Sequence, residues 1–290
     1  MTHDFTWSDA PPGEVLDPVG IWIVRAPAGQ RLPPDGTPPD WLDEKEQSRL
    51  ASIPQHAGRE SYAFAHWALR SVLGSSLGCS PGSVGFLRQP CPGCGGAHGR
   101  PAIRDPAPVG EPMEFSMSHS GDHVAIAVAE ATIGIDIESW PTPESVAGYL
   151  PFLHPREQQW LGGRAGDELV RDFARLWTRK EAMAKATGQG MAAVMNRLDL
   201  TGQPLGWRVR QLLAPPGYEA SFAVPASVHV AVTVYEELPE PMPRLVPPCR
   251  GRDRMARGSP GVGPSGAPPA RSVRAAPVPA PPRRAGVSGR

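Results

Sequence analysis

Asp136 and Glu138 stand two positions apart in Ile133-Gly134-Ile135-Asp136-Ile137-Glu138. Strict alternation marks a strand, and residues two apart in a strand share a face. The isoleucines then point into a core and both carboxylates point the other way, side by side. Adjacent carboxylates repel, and a hard divalent cation such as Mg²⁺, which takes oxygen ligands, offsets that repulsion. The plain alternative is a half-exposed strand whose outer face happens to be acidic. A second stretch bears on the choice. Trp177-Thr178-Arg179-Lys180-Glu181-Ala182-Met183-Ala184-Lys185 reads as helix, and Glu181 and Lys185, four apart, share one helical face. An ordinary surface ion pair has the same spacing. Lys180 lies toward the same broad side, and Gly188-Gln189-Gly190 closes the helix with a turn that lets a ligand approach the backbone.

Combined, Asp136, Glu138 and Glu181 give three carboxylates for one Mg²⁺, an ion that keeps several waters and binds substrate phosphates. Lys180, Lys185, His119 and Arg100 are available to hold phosphate charge. The set suits transfer at a pyrophosphate. Metal and cations would stabilise charge on the phosphoryl oxygens, and a carboxylate would take a proton from an attacking hydroxyl.

These residues need elements to position them. Val19–Val24 reads as a buried first strand, and Pro27–Pro39 as a Pro/Gly-rich loop. Asp40 is the expected cap of a short helix with Trp41, Leu42 and Leu50 as its apolar positions. Gly58–Leu77 carries Tyr62, Ala65, Leu69, Val72 and Leu73 at helical spacing, with Arg59, His66 and Arg70 on another face. Phe115–Ser120 is a strand that turns at Gly121-Asp122. His123–Glu130 alternates Val124, Ile126 and Val128 with alanines and reads as a strand buried on both sides. With only Ala131-Thr132 between them, it and the acidic strand are expected to pair as an antiparallel hairpin. Pro155 starts a helix, Asp167–Ala186 forms the second long helix, and strands are expected near 207–213, 218–224 and 228–236. His123–Glu130 also echoes His229–Glu236, with five of eight positions identical.

Net charge is zero over the 290 residues, but it is unevenly spread. Residues 241–290 hold ten Arg, no Lys and one acid, with twelve Pro and seven Gly. This composition reads as a disordered basic tail, unable to bury enough surface to offset its ordering entropy. Residues 1–240 therefore carry about −9, from 19 basic and 28 acidic groups, which argues against a nucleic-acid binder. There is no apolar run long enough for a membrane span and no secretory signal, so a cytoplasmic location is expected. Cys91-Pro92-Gly93-Cys94 followed by His98 looks like half a zinc knuckle. A tight turn with free thiols is the favoured reading, because Cys79 and Cys249 offer no convincing partner spacing.

At three places the chain resembles a known family. Phe-Ser-Met-Ser-His-Ser-Gly-Asp at 115–122, Gly-Ile-Asp-Ile-Glu at 134–138 and Trp-Thr-Arg-Lys-Glu-Ala-x-x-Lys-Ala-x-Gly-x-Gly at 177–190 are similar to the signatures of 4′-phosphopantetheinyl transferases. The resemblance is to the larger type that activates surfactin synthetase. Gly99-Arg100-Pro101 resembles a Gly-Lys-Pro motif of that type, with Arg in place of Lys. The likeness spans roughly residues 19–236 in matching order and spacing.

The resemblance implies an α+β fold, a pseudo-twofold monomer whose halves each pack a long helix on a small antiparallel sheet. The corresponding divisions are 1–18 as a loose lead-in, 19–140 and 141–240 as the halves, and 241–290 as the tail. It implies that coenzyme A binds between the halves. Its phosphopantetheine arm would pass to a serine hydroxyl of an acyl, peptidyl or aryl carrier protein, releasing adenosine 3′,5′-bisphosphate. Carried over by motif, Asp136, Glu138 and Glu181 would hold Mg²⁺, and Glu181 would also be the base, directly or through a water. Lys185 would contact the attacked phosphate, and His119 a coenzyme A phosphate, with Lys180 and Arg100 as further contacts. Arg59 is the leading candidate for the 3′-phosphate, with Arg70 the other. The rival function is a catalytically silent homologue that binds coenzyme A or a carrier protein.

Overall fold

The computed structural model describes residues 5–8, 17–27, 39–104 and 113–240. The loop expected at 27–39, for most of its length, and the expected tail at 241–290 lie outside these residues. In chain order the strands and helices are β1 (Phe5–Ser8), β2 (Asp17–Arg25), α1 (Glu44–Ala51), α2 (His56–Leu77), β3 (Phe86–Arg88), β4 (Pro101–Ile103), β5 (Glu114–Ser120), β6 (His123–Ala129), β7 (Gly134–Ser139), α3 (Pro143–Tyr149), α4 (Pro155–Leu161), α5 (Gly166–Thr187), β8 (Trp207–Leu212), β9 (Tyr218–Pro225) and β10 (Val230–Tyr235). The class is mixed α+β. No helix among the described residues is long and apolar enough to cross a membrane.

The strands form three sheets, ordered β1-β10-β2-β6-β5, β3-β4 and β7-β9-β8. The expected pairing of the acidic strand β7 with β6 does not occur. β6 instead pairs with β2 on one side and β5 on the other, and β7 pairs antiparallel with β9. The short Ala131-Thr132 link therefore carries the chain from one sheet to another. The cause is the isoleucine face of β7. Ile133, Ile135 and Ile137 are each fully buried in a cluster with Ile21, Ala125, Ala127 and Phe222, which is the face-to-face contact of the two larger sheets. In the hairpin arrangement these isoleucines would lie beside β6 instead of against its face.

Three further expectations are corrected. Residues 5–8 of the supposed lead-in form strand β1, paired with β10. The cap of α1 is Asp43, whose side chain accepts from the Glu46 N–H at 2.8 Å while Glu46 accepts from the Asp43 N–H at 2.9 Å, a reciprocal box that Asp40 lies too early to make. The largest sheet is also not wholly antiparallel, because β10 runs parallel to β2. The strands that echo each other in sequence, β6 and β10, flank β2 on its opposite edges.

The two long helices match their expected spans within two residues, and both end at a left-handed glycine, Gly78 at φ 64° and Gly188 at φ 69°. α2 buries Ala65, Leu69, Val72 and Leu73 with Val124 and Ile126 of β6. α5 lies across β7 and β9. Its closeness rests on Gly134, where a Cβ would stand 2.1 Å from the Ala182 carbonyl oxygen and 2.5 Å from the Ala186 nitrogen. Only a residue without a side chain lets the helix backbone come this near, and that approach brings the acidic face of β7 up to α5.

Candidate active site

Gly134, Asp136 and Glu138 of β7 share the face under α5 with Ala223, Ser221 and Glu219, their register partners on β9. The Lys185 ammonium donates to Asp136 Oδ1 at 2.7 Å, and the Ser118 hydroxyl donates to the same oxygen at 2.6 Å. The other oxygen, Oδ2, is buried without a hydrogen-bond partner, and the residue as a whole is 1% exposed. Burial raises the Asp136 pKa above the usual carboxylate range, against the pull of Lys185. Burial and then the Asp136 charge push Glu138 up to about 7. Glu181 is likewise raised to about 7 by burial and by Asp136, with Lys185 opposing. The three carboxylates are thus close enough to disfavour one another's ionisation, and Lys185 supplies a single compensating charge.

The motif on α5 divides by helical face, because each residue advances about 100° around the axis. Trp177 packs against Tyr149 and Phe173, with ring centroids 4.8 and 5.8 Å away. Thr178 meets Ser221 at 3.0 Å, and Arg179 donates to the Leu200 carbonyl at 2.8 Å. Glu181 and Lys185 face the cleft described below. Lys180 does not, and its expected role as a phosphate contact is corrected here. It is fully buried, paired with the equally buried Glu157 at 2.8 Å and bonded to the carbonyls of Val194, Met195 and Leu198. One residue earlier than Glu181 puts Lys180 under the α4–α5 layer, where it ties the segment after α5 to the helix.

Alongside runs a cleft of about 690 Å³, within the range of small-molecule and cofactor sites. It is lined by Glu181, Lys185, Gly188 and Gly190 from the end of α5 and beyond, by Ser116, Met117 and Arg100, and by Glu46, Tyr62 and His66. Arg100 donates to the Ala186 carbonyl at 3.0 Å and to Glu114, so its guanidinium sits at the C-terminal end of α5. His119 and Arg59 lie elsewhere. His119 is exposed beside the β5–β6 turn with Ser61, whose hydroxyl donates to the Gly121 carbonyl at 2.9 Å, and Arg59 is half-buried in the first turn of α2. Arg70, the other candidate for the 3′-phosphate, is 2% exposed. It donates to both oxygens of Glu46, at 3.2 and 2.7 Å, and lies over the rings of Phe86 and Trp41, which leaves it no free face for a phosphate.

Several contributors escaped the sequence reading. Lys45, Arg49 and Arg88 also line the cleft and add positive charge. They come from a short helix and a small hairpin with no pattern to mark them. The serines of β5 form a second group. β5 and β7 share no backbone ladder, yet the Ile135 N–H donates to Ser116 Oγ at 3.0 Å and the Ser139 N–H to Ser120 Oγ at 3.1 Å, while Ser118 donates to Asp136. Three hydroxyls thus join β7 to a neighbouring sheet and fix the height of the acidic strand. Their signal was present in the alternation of Ser116, Ser118 and Ser120.

Carboxylates and amines grouped beside a cleft of cofactor size are the equipment of an enzyme that moves a charged group. Residues 132–222 match the profile of the 4′-phosphopantetheinyl transferase superfamily. The 4′-phosphopantetheinyl transferase HetI of Nostoc sp. is 32% identical over 193 residues, 64% of this chain and 76% of that protein. The Bacillus subtilis 4′-phosphopantetheinyl transferase is 28% identical over 154 residues, 53% of this chain and 62% of the relative. The transferase gsp of Aneurinibacillus migulanus is 36% identical over 84 residues, covering 29% of this chain and 35% of its own. The chain belongs to the 4′-phosphopantetheinyl transferase family.

Proposed function

We propose that the protein transfers the 4′-phosphopantetheine arm of coenzyme A to a serine hydroxyl of an apo acyl, peptidyl or aryl carrier protein, as a holo-carrier-protein synthase. The observation that carries this reading is the buried Asp136, bonded to Lys185 through one oxygen, with its other oxygen lacking a partner and with Glu138 and Glu181 both held near neutrality. An anionic cluster with an orphaned oxygen fits a hard divalent cation, and Asp136, Glu138 and Glu181 would hold Mg²⁺. When bound, that ion would supply positive charge to the pyrophosphate oxygens of coenzyme A.

The chain's own residues do the rest. Lys185, reaching toward the cleft from the end of α5, holds the phosphoryl group under attack and stabilises the charge that grows on it. Glu181 takes the proton of the carrier serine, directly or through a water. Its place in the cleft lining with Lys185 puts a carboxylate where the attacking hydroxyl would arrive. The serine oxygen forms a bond to phosphorus as the bond to adenosine 3′,5′-bisphosphate breaks. Arg100 in the cleft and the more distant His119 and Arg59 carry the remaining phosphate charge of coenzyme A. Lys180 has no part in this reaction.

The same reading treats residues 19–140 and 141–240 as halves of a pseudo-twofold, monomeric, cytoplasmic enzyme. Support comes from the equal 22-residue lengths of α2 and α5. The test is labelling of an apo carrier protein with fluorescent coenzyme A and Mg²⁺. Glu181→Gln and Asp136→Ala should each lower the rate by about 100-fold or more, the usual scale for a lost general base, with circular dichroism unchanged. Full labelling by both variants would sink the site assignment. Tight coenzyme A binding without labelling of any carrier would favour the silent homologue.

A further inference from the structure

The hairpin β3–β4 ends in residues 89–100, Gln-Pro-Cys-Pro-Gly-Cys-Gly-Gly-Ala-His-Gly-Arg, which forms one side of the cleft through His98, Gly99 and Arg100. This connection has almost no apolar side chain to bury. It contains Gly93, Gly95, Gly96 and Gly99, the residues that lose most conformational freedom on ordering. A two-stranded hairpin is marginal by itself, and β3 pairs with β4 alone. Phe86 and Ile103 anchor the strands of the hairpin to the core, so what shapes the tip is its own polar contacts.

The tip is folded tightly around its sulfurs. The Cys91 N–H donates to the Gly96 carbonyl at 2.8 Å, and the Gly95 N–H donates back to the Cys91 carbonyl at 2.7 Å. The N–H groups of Gly93 and Cys94 point at the Cys91 sulfur. Cys94 Sγ lies 2.9 Å from His98 Nε2, and the donor atoms of Cys91, Cys94 and His98 all fall within 4.8 Å of one another. A Cβ at position 96 would stand 3.0 Å from the His98 ring and 3.4 Å from Cys94 Sγ, so glycine there lets the ring and the thiol come together. At Gly99 a Cβ would meet the carbonyl oxygens of Gln89 and Pro90 at 2.5 and 2.7 Å, which closes the base of the loop.

We infer that Cys91, Cys94 and His98 bind a Zn²⁺ ion, with solvent as the fourth ligand. Two thiolates and one imidazole are a preferred donor set for this metal, and in a tetrahedral site a sulfur and a nitrogen ligand stand about 3.5 Å apart, a small opening of the present contact. Cys94 and His98 are exposed, so a water completes the coordination without any other side chain. The sequence alone favoured a plain turn with free thiols because it offered no second cysteine pair. The structure supplies no fourth protein ligand among the described residues, but it brings His98 onto Cys94 and leaves that side open to solvent. The ion's task is to fix the tip from which Arg100 enters the cleft, so its presence does not depend on the transfer reaction.

The test uses the full chain purified under reducing conditions, with metal content read by inductively coupled plasma mass spectrometry. About one equivalent of zinc per chain is expected, and Co²⁺ in its place should give the visible absorption of a tetrahedral thiolate site. Cys94→Ala and His98→Ala, both at exposed positions, should each bring zinc to background and abolish the cobalt band. They should also make the 89–100 loop a new site of proteolysis. A reduced protein that takes up neither Zn²⁺ nor Co²⁺ would overturn the inference. So would zinc content unchanged in both variants. Should either variant fail to fold, the wild-type cobalt spectrum and its loss on thiol alkylation decide the matter.

Discussion

Replacing Gly134 by alanine adds one methyl group at the point where strand β7 meets helix α5. The added carbon would lie 2.1 Å from the Ala182 carbonyl oxygen, 2.5 Å from the Ala186 nitrogen and 3.0 Å from the Ala186 Cβ. The first of these is about 1.3 Å short of ordinary contact at 3.4 Å, and both close partners are backbone atoms that no rotamer change can move. Strand and helix must therefore separate by roughly 1 Å. Overpacking of this kind costs about 1–3 kcal/mol. For a folded body of this size each kcal/mol lowers Tm by about 2–4 °C, so a fall of about 2–12 °C is expected in calorimetry. The effect on chemistry should be larger in proportion. The same separation pulls Lys185 and Glu181 away from Asp136, and a displacement of about 1 Å in a reacting constellation costs on the order of 100-fold in rate. Carrier-protein labelling at saturating coenzyme A measures it. Gly134→Ser should behave at least as badly. A Gly134→Ala enzyme with wild-type kcat and Tm would refute the claim that this close approach sets the geometry of the site.

Two further outcomes follow from the buried ion pairs. Lys180→Met leaves Glu157 fully buried without its cation and should destabilise by roughly 4 kcal/mol, whereas Lys180→Met with Glu157→Gln should recover most of that loss. KM for coenzyme A in the double variant should equal that of the wild type, and a large rise would return Lys180 to the substrate site. Glu46 supplies a pH dependence. Burial pushes its pKa up, but hydrogen bonds from His66 and Arg70 outweigh this and bring it to about 2 from an ordinary 4.5. A depressed folded-state pKa means stability that is present above about 4.5 and lost as pH falls toward 2. The loss is at most about 3 kcal/mol. Urea midpoints taken between these limits should fall steeply in the wild type and more gently in Glu46→Gln, and parallel slopes would contradict the assignment.

The local signals in the chain were strong where one element answered to one pattern. Apolar spacing located α2 and α5 to within two residues, and alternation located β7, because periodicities of 3.6 and 2 depend only on which side chains must be buried together. The acidic pair on β7 and the Glu181–Lys185 face of α5 were legible for the same reason. Sheet partnership was not. Nothing in Ala131-Thr132 tells whether the chain turns back along β6 or crosses to β9, since two residues serve either path, and the choice depends on a face-to-face contact between sheets formed from distant segments. Lys180 and Lys185 look equivalent in the string Lys-Glu-Ala-Met-Ala-Lys, and a rotation of the helix separates them into a buried strut and a cleft-lining cation.

By itself, then, the sequence determined which residues carry charge on which element, because side-chain direction within a strand or helix is a local matter of backbone geometry. Only the tertiary structure decided which of those charges meet. Asp136 reaches Lys185 at 2.7 Å because Gly134 admits the backbone of α5 and the serines of β5 hold β7 at the matching height. These contacts join residues 49 apart in the first case and 19 apart in the second; they are set by how closely separate segments can approach, and no pattern within any one segment encodes that distance.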